Sequence, residues 1–221
     1  MIRLLIITFF MLAFHSCKKD LYDTQKREIG LEYVNQTKGH SIVYEVEEIT
    51  FDDFTNTSDT FYYQIKTKND TFFQDNIFKT VLRHEKYKRL NDSDLWHFQE
   101  AYYSKLNEEK YEVIENNTRY IKLSFPISAD AFWNSNAFNI DNNSFVYYAT
   151  IKGKTNINQT AFQNIITIKF DPIINSVRER IYEETYAKNI GLIKMHKVFI
   201  EKNNNILRGY KLKYSYLYHE N

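Results

Sequence analysis

The side chains of this 221-residue chain that could carry chemistry are six histidines, 28 carboxylates, two tryptophans and one cysteine. Past the first twenty residues the histidines are His40, His84, His97, His196 and His219, and no two are close in sequence. A zinc site normally shows itself by closely spaced ligand pairs, so no metal is expected. Asp52-Asp53 and Asp92-Ser93-Asp94 offer oxygen ligands, but neither has the spacing of a calcium loop. Both read as turns, where short polar side chains bond to the nearby backbone. The chain holds no G-x-S-x-G, H-E-x-x-H, P-loop or G-x-G-x-x-G pattern, so no catalytic residue and no cofactor are assigned. A carboxylate pair flanking a cleft could hydrolyse a glycosidic bond. With 28 acids spread along the chain, sequence cannot single one pair out.

The aromatic residues are the other resource. Eighteen Tyr and 17 Phe stand beside only two Pro and five Gly. Trp133, in an irregular Asn-rich stretch, is the candidate for a ligand-binding aromatic, with Trp96 beside it as the second. Tyr210, Leu212, Tyr214, Tyr216 and Tyr218 alternate with Lys211, Lys213 and Ser215. Such a stripe could wall a lipid or stack on a sugar, but at period two it reads first as core.

The elements that must position these residues are strands. Residues 41–66 alternate as a hairpin around a polar turn at 52–58, and 71–74 form a short aromatic piece. Residues 78–89, 95–106, 111–115 and 119–125 read as further strands, the last ended by Pro126. Residues 145–152 and 162–170 are strands flanking a connection at Gly153. Residues 192–202 and 206–219 form a closing hairpin over Asn203-Asn204-Asn205. Residues 173–188 fit both helix and strand, and strand is the reading adopted. The segment Tyr186-Ala187-Lys188-Asn189-Ile190-Gly191-Leu192-Ile193 resembles one in β-rich bacterial lipoproteins, where a strand enters a turn and another leaves it.

The N-terminus supplies an address. Leu4 to Phe14 is an uncharged apolar run of signal-peptide length, too short for a membrane span of roughly 20 residues. His15, Ser16 and the sole cysteine, Cys17, follow, and then Lys18-Lys19-Asp20. This arrangement resembles the lipobox of bacterial lipoproteins, which implies lipidation of Cys17. The three charged residues resemble the surface-export signal of Bacteroidota lipoproteins.

The expected organisation is a lipoprotein signal peptide over 1–16, the lipidated cysteine and a flexible tether over 17–30, and one β domain over 31–221. Its expected fold is all-β, an antiparallel barrel or curved half-barrel of about ten strands. A formal net charge of +1 lacks the footprint of a nucleic-acid binder. Outward charges such as Glu45, Glu47, Lys211 and Lys213 are unlike the apolar band of a transmembrane barrel. The expected function is a binding or accessory module of the cell envelope, tethered to the outer membrane and displayed at the surface. Its expected partners are the membrane through the lipid anchor, a hydrophobic or glycan ligand, or an envelope protein. The alternative is a cell-envelope hydrolase.

Overall fold

A computed structural model describes residues 29–76, 79–140, 143–204 and 206–221. The expected signal peptide, Cys17 and the expected export residues Lys18, Lys19 and Asp20 lie outside the described residues. Thirteen strands occur in the order β1 (Ser41–Asp52), β2 (Thr57–Gln74), β3 (Thr80–Arg89), β4 (His97–Leu106), β5 (Lys110–Glu115), β6 (Thr118–Ser124) and β7 (Phe132–Asn134), then β8 (Phe145–Ile157), β9 (Thr160–Phe170), β10 (Ile173–Ile174), β11 (Arg178–Ala187), β12 (Gly191–Asn203) and β13 (Ile206–Glu220). The surplus over about ten includes two very short pieces, β7 and β10. Within residues 173–188, 173–174 and 178–187 are strand, as read, with a bend at 175–177 between them.

The strands form one antiparallel sheet, ordered β6-β5-β4-β3-β2-β1-β13-β12-β11-β9-β8-β7, with β10 added on β11. Its two ends meet. The Ile121 N–H of β6 donates to the Ser135 carbonyl just past β7 at 3.0 Å. Trp133 Nε1 donates to the Ile121 carbonyl at 3.0 Å, and the Tyr148 hydroxyl of β8 to the Ser124 carbonyl at 2.6 Å. The Asn139 side chain both donates to and accepts from the Arg119 backbone. Together these bonds occupy the backbone groups that an edge strand would leave bare, and the sheet becomes a nearly closed barrel.

Bulges supply the curl, because an extra residue bends and twists its strand. On β6, Ile121 lies opposite Glu112 but Leu123 lies opposite Tyr111, so Lys122 is the extra residue. On β13, Tyr216 pairs with Tyr44 while Tyr218 pairs with Val43, so Leu217 is extra and Tyr218 leaves the stripe. Tyr216 is buried; Leu212 and Tyr214 pack half-buried against the core. β13 lies inside the sheet, between β1 and β12, as the stripe requires.

Two sequence readings need correction. Asn69-Asp70 is a bulge within β2, so 71–74 continue that strand. Gly153 lies within β8, and the chain turns at Asn158-Gln159, whose φ values of 46° and 66° are left-handed. Neither residue is glycine, so the turn lacks the usual sequence signal. Asn116-Asn117, with φ of 49° and 58°, makes the turn between β5 and β6. At Gly209 a Cβ would sit 1.9 Å from the Phe199 carbonyl oxygen, so the crossing of β12 and β13 admits no side chain.

The apolar core has two parts. One gathers Ile42, Tyr44, Val46, Ile65, Ile193 and Tyr216, and the other Tyr33, Leu123, Trp133, Ile166 and Ile168. Tyr33 comes from a 3-10 turn, Leu31–Tyr33, that plugs one end of the barrel. The Ile29 carbonyl accepts from Ile127 N–H at 3.0 Å, and the Glu32 carbonyl from Asn189 N–H at 2.7 Å. Residues 29–33 therefore lie at the end of the barrel where β1 begins, opposite the β1–β2 turn.

Candidate functional site

A cavity of about 270 Å³ lies inside the barrel, above the plug. Inward residues of β1–β6 and β11–β13 line it, so it exists only because the sheet closes. Its wall is rich in tyrosine and carries two sets of charges, one enclosed and one half-buried.

The first set spans the barrel. Lys122, turned inward by its bulge, donates from Nζ to Glu184 Oε1 and to the Tyr182 hydroxyl, each at 2.7 Å. The Tyr186 hydroxyl donates to Glu184 Oε2 at 2.6 Å, and Tyr182 donates to Glu184 as well. Glu184 is only 3% exposed. Burial works to discharge the Lys122 ammonium, but Glu184 and Tyr182 outweigh it and hold the lysine charged. Burial and the neighbouring Glu184 push both tyrosine hydroxyls well above their ordinary range.

The second set lies across β3–β5. Lys86 Nζ meets Glu100 at 2.5 Å and Glu115 at 2.7 Å. Burial opposes the Glu115 carboxylate, yet Lys86 beside it brings its pKa below the usual range. The His84 ring stacks on Tyr102 with centroids 4.7 Å apart, and its Nε2 bonds to Ser104 Oγ at 2.7 Å. Burial lowers the His84 pKa to about 4, so the ring is neutral at pH 7.

Between these sets lie hydroxyls with different fates. Tyr44 donates to the Leu192 carbonyl at 2.9 Å. Tyr111 is pushed up to about 12 by burial, Ser104 moderating the shift. The hydroxyls of Tyr102 and Tyr214, both on the cavity wall, have no hydrogen-bond partner among the described residues. Both residues are half-buried and their hydroxyls are open to the cavity, so the two are free to bond something inside it.

The residues singled out from sequence lie elsewhere. Trp133 is in β7, 9% exposed, its ring 5.1 Å from Tyr148 and its N–H spent on the Ile121 carbonyl. Trp96 is half-buried in the β3–β4 loop, with Lys66 Nζ 4.8 Å and the Arg89 guanidinium 4.4 Å from its ring centroid. Neither lines the cavity. Asp52 accepts from Phe54 and Thr55 N–H, and Asn91 and Asp94 bond within their own loop, as turn residues do. Among the described residues no three His, Cys, Asp or Glu gather as metal ligands. The cavity's Lys86, Lys122, Glu115 and Glu184 were missed. Lys122 and Glu184 are 62 residues apart and meet only through closure. Of the stripe, Leu212 and Tyr214 do reach the cavity wall.

No family model matches the chain, and no curated protein matches it. Two solved structures are similar to it in backbone. One, a candidate lipoprotein from Parabacteroides distasonis, is 10% identical with a TM-score of 0.45, over 85% of this chain and 98% of that one. The other, a candidate exported protein with a YmcC-like fold from Bacteroides fragilis, is 10% identical with a TM-score of 0.40, over 83% of this chain and 97% of that one.

Proposed function

We propose that the chain is a tethered binding module of the cell envelope whose barrel cavity takes one small, polyhydroxylated ligand of sugar type. The observation that carries this reading is the pair of unpartnered hydroxyls, Tyr102 and Tyr214, on a wall that also holds charged Lys86, Lys122, Glu115 and Glu184. An acyl chain would bury those charges and satisfy neither hydroxyl. A hydroxyl-bearing ring bonds the tyrosines and lies against their rings. The volume sits near the lower end of ligand pockets, roughly 300–1,000 Å³, which suits a single ring. The cavity carboxylates are matched with lysines, an arrangement that supports binding over acid–base chemistry, where a carboxyl with a raised pKa is needed.

Tethering rests on the sequence: the apolar run Leu4 to Phe14, the lone Cys17 and the charged Lys18-Lys19-Asp20. Two or more acyl chains give a stable anchor, and that anchor would put the domain at the outer membrane, at its surface if the charges act as an export signal. Thermal unfolding of the full chain in detergent, over a panel of mono- and disaccharides, tests the ligand class. A stabilising sugar should raise Tm in the wild type and not in Tyr102→Phe/Tyr214→Phe. A panel without effect, combined with a shift from fatty acids, would reverse the reading. Cys17→Ala should abolish fatty-acid labelling, and labelling that persists would refute the anchor.

A further inference from the structure

We propose that two copies of the chain pair edge to edge through β2, about a two-fold axis at Thr60. β3 stops pairing with β2 at Gln64–Arg89, so Thr57–Tyr63 are bonded only to β1. Among the described residues no other backbone pairs with this stretch, and residues 57–62 are all exposed. Sheet edges in monomeric proteins are normally blunted by lysine, proline or a covering loop. This one has none of these; its sequence is Thr-Ser-Asp-Thr-Phe-Tyr-Tyr.

Three features fit a second copy. The first is length: the open stretch is flanked by the β1–β2 turn on one side and Leu90 on the other, so the slot on each copy takes the same stretch of the other. Antiparallel pairing about Thr60 sets Asp59 against Phe61 and Thr57 against Tyr63. The second is charge. Asp59 of one copy falls diagonal to Tyr63 of the other, where Lys88 Nζ lies 3.6 Å from the ring centroid. Neither Asp59 nor Lys88 has an ion-pair partner among the described residues. The third is apolar cover. Phe54 in the turn, 96% exposed, reaches the end of the other slot at Leu90, which is 68% exposed. Phe61 and Tyr62, the large exposed side chains of the edge itself, are covered by the same pairing.

Cysteine cross-linking of the full chain in its membrane tests this. Directly opposed residues of an antiparallel pair have Cα atoms roughly 4.5–5.5 Å apart, inside the disulfide range. Thr60→Cys should therefore give a disulfide-linked dimer on mild oxidation, while wild type and Ser58→Cys, which faces Tyr62, should not. Lys88→Asp should reduce the Thr60→Cys dimer about tenfold or more, and adding Asp59→Lys should restore it. No dimer at position 60, equal dimer at 58, or a yield indifferent to the charge reversals would overturn the proposal. Cross-links from position 60 to other proteins alone would overturn it too, in favour of a foreign strand in the slot.

Discussion

The barrel body and the sheet end beyond it are built from the same strands yet treat their side chains in opposite ways. In the body, the inward-facing residues have partners: Ile166, Ile168 and Leu123 are fully buried, and even Lys122 and Glu184 are enclosed with partners. Beyond it, where β1 and β2 overrun β3, Phe54, Phe61 and Tyr62 stand in solvent. Closure makes the difference. Where the sheet wraps onto itself, inward residues meet others from across the barrel, and polar groups must find partners there. Where strands overrun their neighbours, nothing lies opposite and backbone and rings remain open. The body suits a small ligand held inside, and the overrun suits a contact with another chain.

The largest expected effect is in the body. Glu184→Leu leaves the Lys122 ammonium buried without its carboxylate, which should cost roughly 3–5 kcal/mol of unfolding free energy. Pairing it with Lys122→Met should recover most of that loss in chemical denaturation. If the single variant is as stable as wild type, the charges are not enclosed as described. His84 gives the next effect. Its folded pKa is near 4 against 6.5 for the free side chain, so the unfolded chain takes up the proton first as pH falls. The contribution is therefore fully present above pH 6.5 and lost as pH drops toward 4, on the order of 3 kcal/mol. His84→Gln should flatten the stability profile over that window, and an unchanged profile would contradict burial of the ring.

A smaller effect is expected at the seam. Trp133→Phe keeps an aromatic ring but removes the N–H that meets the Ile121 carbonyl, at about 1–3 kcal/mol. Hydrogen exchange at the Ile121 amide should quicken with it, and unchanged exchange would mean the ends close by other means. The smallest belongs to the overrun: Phe54→Ser should change domain stability by no more than about 0.5 kcal/mol. A large loss there would erase the contrast between the two regions.

The sequence carried the all-β antiparallel fold, the hairpin of β1 and β2, the β12–β13 hairpin and the strand nature of residues 173–188. Parity is a local signal, and it held wherever strands ran without interruption. It failed at bulges: Leu217 takes Tyr218 off the stripe, and Lys122 is the extra residue that turns into the cavity. Trp133 drew notice by its irregular surroundings, which turn out to be the lap of the barrel over its own edge. The candidate site was the least legible part. Its members come from nine strands, and no spacing along the chain signals that Lys122 and Glu184, or Lys86 and Glu115, will meet.

The central claim is that the closed barrel holds a small polar ligand on Tyr102 and Tyr214. Native mass spectrometry of the full chain, released gently from detergent, tests it most directly. The wild type should carry one small polar adduct per chain, and Tyr102→Phe/Tyr214→Phe, equally folded by circular dichroism, should lack it. Bare masses for both proteins, or the same adduct on both, would contradict the claim.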